Sequence, residues 1–258
     1  MRKRTPKTKF PNTAVTSYER ALTKLIDQVT KEALKLFDKH IAKELHADSE
    51  NYRIDGLYDE LKRMFKDLKN RVTGIFSEKR VERAAGDFVE AVNRTNRHNF
   101  VQQARVQGIE LVASEPWLKG FVNGHVSNNV SYIKNLEDEV YERIENIVRE
   151  HIEKGSSSKV IRDAIIEQTN ISKSRAQFLA VDQAGSILGQ MTAERHQRLG
   201  INKFTWDTSG DERVRDEHRE LDGKEFYYDD PPIVNGRQVL PGEDYRCRCV
   251  AMPVFDDD

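Results

Sequence analysis

The chain has 258 residues, of which 37% are hydrophobic and 33% charged, with a formal net charge of −1 at pH 7. It is long enough to bury a real core, but so low an apolar share favours elongated helical structure with much solvated surface. No apolar run approaches the ~18 residues that cross a bilayer, and the charged N-terminus lacks the apolar stretch of a secretory signal.

Two cysteines in Cys-x-Cys spacing are too close to frame a disulfide-rich secreted domain, which favours a reducing, intracellular place of synthesis. The small net charge hides an asymmetry. Residues 207–258 hold 15 acidic and 7 basic side chains, a net of −8, which leaves +7 on residues 1–206. A basic body and an acidic tail suit contact with each other, with a neighbour or with nucleic acid.

Residues 1–12 are basic, with Pro6 and Pro11, and read as a flexible arm. Arg2, Lys3, Arg4, Lys7 and Lys9 are its candidate contacts to DNA phosphates. A solvated end is the competing reading. From Ala14 to about His46, apolar residues Tyr18, Leu22, Leu25, Ile26, Val29, Ala33, Leu36, Phe37 and Ile41 recur at steps of three and four, which marks one helix with a broad buried stripe. Leu57 to Ile75 repeats the pattern, and Ser77 is a plausible N-cap for a third helix running to Leu111. The polar stretch Asn93–Asn99 predicts a bend or break in it.

Pro116 near a first turn opens a further pattern from Trp117 to Ile152. Continuous, it would span about 38 residues and roughly 57 Å. Gly120, Gly124 and the nearby asparagines predict a break in its first third. The scattered residues His40, His46, His98, His125 and His151 form no ligand pair at helical spacing.

Gly155-Ser156-Ser157-Ser158 is the expected boundary between a long-helix region, 13–155, and a C-terminal module, 156–258. Two helices are predicted there, one around Val160–Ile166 and one from Ser172, closed by Gly200 in the C′ position. Small residues Ala180, Ala184, Gly185 and Gly189 line a face of the second and suit close packing. Its first turns lack the side chains that read DNA bases, which argues against a helix-turn-helix regulator. Ile201–Trp206 alternates like a strand, and Asp222-Gly223 forms a tight turn into another. The fold class is mainly α, with a small C-terminal α+β module.

Chemistry concentrates in this last module. Cys247, Cys249 and His218 offer three ligands suited to zinc, with a fourth sought from Asp216, Asp222 or Asp244. Two buried thiols and a hydrogen-bonding histidine are the alternative. The cluster also fits a metal-dependent hydrolase or nuclease with His218 as general base. A structural account is preferred: Asp211, Arg213, Arg215 and their neighbours, on adjoining short strands, pair to hold a unit with little core, anchored by Trp206.

The order Arg175-Ala176, Gly200, Trp206, then Asp211-x-Arg213-Val214-Arg215-x-x-His218-x-x-Leu221-Asp222-Gly223, then Pro241-Gly242 and Cys247-Arg248-Cys249 resembles the C-terminal domain of Mu F-like phage head morphogenesis proteins, over roughly residues 156–253. Two departures stand out. Pro241-Gly242-Glu243-Asp244-Tyr245 replaces a stretch that often carries His-Pro in the family, and Leu179-Ala180-Val181-Asp182-Gln183 replaces an Ala-Arg-Thr-Glu pattern.

The resemblance implies a structural protein rather than an enzyme: a minor capsid protein of a tailed bacteriophage, assembled in the host cytoplasm and carried in the capsid interior. Its partners would be the portal, capsid or scaffold proteins and double-stranded DNA during packaging or ejection, with no membrane. Some relatives carry toxin domains after this module, and none is expected here.

Overall fold

A computed structural model describes residues 5–45, 54–111 and 114–255. The elements run α1 (Asn12–His40), α2 (Ala42–Leu45), α3 (Ile54–Ile75), α4 (Glu78–Val106), α5 (Leu118–Glu153), α6 (Ser158–Arg198), β1 (Lys203–Asp207), α7 (Asp216–Leu221), β2 (Glu225–Tyr227), β3 (Ile233–Val234), β4 (Arg237–Gln238) and β5 (Val250–Val254). The predicted class, mainly α with a small α+β module, is what these residues adopt.

Two compact units emerge. The first gathers Met1–Tyr18, Ala85–Ser127 and Phe178–Asp258, and the second gathers Glu19–Ala84 and Asn128–Gln177. The second unit is built as its apolar spacing dictates. Leu22, Ile26, Val29 and Phe37 of α1 are buried, as are Leu61, Met64 and Leu68 of α3, Ile133, Val140 and Val148 of α5, and Ile161 and Ile165 of α6. Residues 154–157 turn the chain inside this unit. Gly155, at φ 67°, takes the left-handed position, and the Ser156 N–H donates to the His151 carbonyl, closing the end of α5.

Three expected interruptions are absent, each for a physical reason. In α4, Asn93, Asn96 and Asn99 are buried and spend their side chains on tertiary hydrogen bonds within the first unit, so the polar run lies on an inward face. In α5, Trp117, just before its first residue, packs against Phe121, and Phe121 against His125, at ring separations of 5.5 and 4.4 Å. Contacts at this spacing support the helix across Gly120 and Gly124. In α6, Thr169 and Ser172 are buried and the Thr169 hydroxyl meets the Thr30 hydroxyl of α1 at 2.7 Å, so packing carries one 41-residue helix through the expected break.

The N-terminal segment differs too. Arg2, Lys3 and Arg4 lie outside the described residues. Residues 5–11 are held rather than free: the Thr8 hydroxyl donates to the Ala251 carbonyl at 2.9 Å, and Gln103 donates to Thr8 Oγ1 at 2.9 Å and to the Pro6 carbonyl at 3.1 Å. Lys7 pairs with Asp207 at 2.8 Å, and both Lys7 and Lys9 are exposed.

In the small β module, β1 is the centre of a three-stranded antiparallel sheet, ordered β2-β1-β5. Phe204 sits opposite Phe226 and Pro253, and Trp206 opposite Ala251. Alternation points Phe204 and Trp206 into a core with Tyr228, Val234, Val239, Cys247, Cys249 and Ala251. A separate hairpin joins β3 to β4 through Asn235-Gly236, both left-handed at φ 51° and 76°. That dipeptide is a strong hairpin signal, since both of its residues tolerate positive φ.

Candidate metal centre

The segment 211–223 does not form strands. Asp216–Leu221 is the short helix α7, and it carries His218 inward. The turn after it is fixed to β1. Gly223, at φ 75°, donates its N–H to the Trp206 carbonyl at 2.8 Å, and Trp206 returns its N–H to the Lys224 carbonyl at 2.9 Å. Glycine is favoured here because the left-handed conformation strains a residue with a Cβ. Asp222 accepts from the Thr208 N–H and hydroxyl at 2.8 and 2.9 Å, which closes the loop between β1 and α7.

Cys247, Arg248 and Cys249 run towards β5. Residues two apart in an extended segment share a side, so both thiols face His218 while Arg248 reaches the other way to Asp211. Asp211 also accepts from the Arg213 backbone and guanidinium, both at 3.1 Å. Desolvation opposes ionisation of Asp211, yet the hydrogen bonds from Arg248 and Arg213 outweigh it and hold the carboxyl at about 2. Arg215 donates to the Asp244 carboxylate and to the Tyr245 carbonyl. Trp206, fully buried, stands edge-on to the His218 ring at 5.5 Å. Trp206, His218, Cys247 and Cys249 thus meet in one small core, with Asp211, Arg215, Asp222, Gly223 and Arg248 fixing the turns around it.

His218 Nδ1 lies 3.4 Å from Cys247 Sγ and 3.4 Å from Cys249 Sγ, and Nε2 lies 3.0 Å from Asp244 Oδ2. All four residues are buried. The three ligand atoms of His218, Cys247 and Cys249 fall within 4.8 Å of one another, and no further His, Cys, Asp or Glu joins that group among the described residues. The expected fourth ligands are therefore elsewhere. Asp216 is exposed and pairs with Arg219, Asp222 is engaged with Thr208, and Asp244 faces the opposite ring nitrogen.

The electrostatics follow from this geometry. The hydrogen bond with Cys247 raises His218 despite burial, with Asp244 adding to the effect. A hydrogen bond from Cys249, and then one from His218, lower the Cys247 thiol to about 5 against the opposing effect of burial. Cys249, hydrogen-bonded to that sulfur and buried, is pushed up. The cluster thus favours the thiolate at Cys247 over Cys249, the form of a cysteine that binds metals.

Helix α6 explains how the Cys-x-Cys segment is held. A Cβ on Gly185 would lie 2.6 Å from the Cys247 and Gly242 carbonyl oxygens, and one on Gly189 2.4 Å from the Pro241 carbonyl oxygen. The small face of α6 therefore packs against a loop backbone rather than another helix. Asp182 accepts the Arg246 N–H at 3.0 Å, where Arg246 adopts the left-handed φ of 52°. The residue that departs from the family pattern thus positions the turn before Cys247.

A second polar centre escaped the sequence reading. Arg195, 1% exposed, donates to both oxygens of Glu115 at 2.7 and 2.8 Å, to Asn96 Oδ1 at 2.5 Å and to Asn93 Oδ1 at 2.8 Å. Desolvation resists ionisation of Glu115, but Arg195 and then Arg97 hold its carboxyl below the usual range. Beside it, His196 is buried with its Nδ1 2.5 Å from the Tyr228 hydroxyl. The polar run Asn93–Asn99 was the available signal, had its spacing been read as an inward stripe.

Residues 142–252 match the family described as Phage Mu protein F like protein. The chain is 33% identical over 181 residues to an uncharacterized protein of Haemophilus influenzae, a match covering 69% of this chain and 40% of that one. It is 32% identical over 130 residues to the NAD(+)--arginine ADP-ribosyltransferase EFV of Enterococcus faecalis, covering 46% of this chain and 27% of that one. The chain thus spans less than half the length of these curated relatives. No solved structure matches it significantly.

Proposed function

Since residues 142–252 belong to the Phage Mu protein F like family, we propose that the chain is a head morphogenesis protein of a tailed bacteriophage: a minor component of the prohead that contacts the portal and the capsid interior. The observation that carries this reading is the family match over the segment whose motif residues converge on one core. A structural role agrees with how those residues are used. Arg213, Arg215 and Arg248 are committed to carboxylates and carbonyls of their own module.

Contact with packaged DNA is the finer part of the proposal, supported by the net +7 of residues 1–206. Of the basic residues near the N-terminus, Lys7 shares its charge with Asp207, so Lys9 and the cations before Thr5 carry the main expected contribution.

The test is assembly. The full chain is co-expressed with the portal and coat proteins of a tailed phage, and proheads are isolated by sedimentation. The chain should sediment with proheads at low copy and resist protease until the shell is opened. A chain that stays at the top of the gradient, or is digested while the shell is intact, would overturn the reading. The DNA component predicts binding that weakens as salt rises, with a shallower dependence after Lys9→Gln. Binding that ignores both salt and this substitution removes it.

A further inference from the structure

We infer that His218, Cys247 and Cys249 bind one zinc ion, with Asp244 as the positioning residue that sets the histidine. The argument begins with the two nitrogens of one ring. Nε2 is taken by Asp244 at 3.0 Å, which in a neutral imidazole places the proton there and leaves Nδ1 as a bare lone pair. That lone pair stands 3.4 Å from each of two sulfurs. Nδ1 has one lone pair or one N–H, and either makes one good hydrogen bond rather than two, so a hydrogen bond is a poorer account of this symmetry than a shared cation.

A shared cation does give one. With Zn–S near 2.3 Å and Zn–N near 2.0–2.1 Å, a tetrahedral ion holds nitrogen and sulfur ligands roughly 3.5 Å apart. Both nitrogen-to-sulfur separations, 3.4 Å, meet that requirement, and the three ligand atoms lie within 4.8 Å of one another. The surroundings fit as well. The Cys249 N–H donates to Cys247 Sγ at 3.3 Å, which stabilises a thiolate. A carboxylate on the far nitrogen of a ligating histidine fixes its tautomer and strengthens it as a donor. Asp244 is itself held by Arg215, with Arg237 at 3.8 Å from Oδ1, an oxygen that makes no hydrogen bond of its own.

Two thiolates neutralise the ion, and the fourth position falls to a solvent ligand. The ion would tie α7 to the start of β5, at the two ends of a module whose apolar core is small. The inference is independent of the role in head assembly.

The experiment uses the full chain without an affinity tag, expressed with added zinc. Elemental analysis should find about one zinc per chain, and both thiols should react slowly with a disulfide reagent until a chelator is added. Cys247→Ser and Cys249→Ser should each reduce bound zinc at least tenfold. Asp244→Asn should keep the fold by circular dichroism while weakening zinc about 10–100-fold.

Where a cysteine variant fails to fold, the cobalt-substituted wild type decides. An absorption band from sulfur-to-cobalt charge transfer with the intensity of two thiolates supports the site. No bound zinc together with thiols that react equally fast with and without chelator would overturn it. Full zinc retention by both serine variants would do so too.

Discussion

The two units of this protein are stable by different means. The second, Glu19–Ala84 with Asn128–Gln177, is an apolar helical assembly in which side chains such as Leu22, Ile26, Phe37, Leu68 and Val148 are buried. The second also buries polar side chains, such as Thr30, Asn129, Glu137 and Gln168, but the first buries the ionisable Arg195, His196, His218 and Asp244 together with Asn96 and Gln103. Apolar burial is the more forgiving, because a volume-conserving exchange costs under about 1.5 kcal/mol and leaves no polar partner stranded. Buried polar groups are not, because each removed partner leaves another unsatisfied. The first unit should therefore tolerate substitution far less than the second.

The largest expected effect tests that contrast directly. Arg195→Met leaves Glu115 and two asparagines facing a buried apolar side chain, and should cost about 3–5 kcal/mol of unfolding free energy in urea titrations. Adding Glu115→Gln should recover part of the loss. If the single variant costs less than about 1 kcal/mol, the network is not what holds this unit.

A second test uses pH. Burial, and then the charge of Arg195, push His196 down to about 3. Its unfolded value is about 6.5, so the unfolded chain takes up a proton that the folded chain excludes. The resulting stability is complete above the unfolded value and is lost as pH falls towards the folded one. Below about pH 6.5, the His196 contribution should fall by roughly 1.4 kcal/mol per pH unit. His196→Gln should flatten that part of the profile, and an unchanged slope would contradict a neutral buried His196. The smallest effect belongs to the second unit: Ile26→Val should cost about 0.5–1.5 kcal/mol, with no pH dependence.

The same contrast governs how much could be read in the chain. Helices of the second unit were legible because their buried residues repeat at helical spacing, from Tyr18 through Ile41 and from Leu57 through Ile75. Their continuity was not. Asn93–Asn99 resembles a loop unless its partners Thr192 and Arg195, nearly a hundred residues away, are known. Thr169 and Ser172 resemble a break unless Thr30, which meets Thr169 from 139 positions away, is known. His218, Cys247 and Cys249 stood out by residue type. Asp244 was weighed only as a ligand, because nothing local shows which ring nitrogen it meets. Asp216 and Asp222 looked equivalent to it, though their side chains are spent elsewhere.

The Thr8 hydroxyl reaching the Ala251 carbonyl has a consequence in time. On a ribosome these residues emerge 243 positions apart. The second unit has all its segments once Gln177 is made, and its helices can pack while synthesis continues. The first unit cannot, since its opening segment must wait for β5. Closing so long a loop is entropically costly and is rewarded only when both ends are present. Until then Thr8 and the small face around Gly185 and Gly189 lack their final partners. Molecules halted late in synthesis would thus combine a finished helical half with an open, adhesive one, the state in which a chaperone or an assembly partner has most to offer.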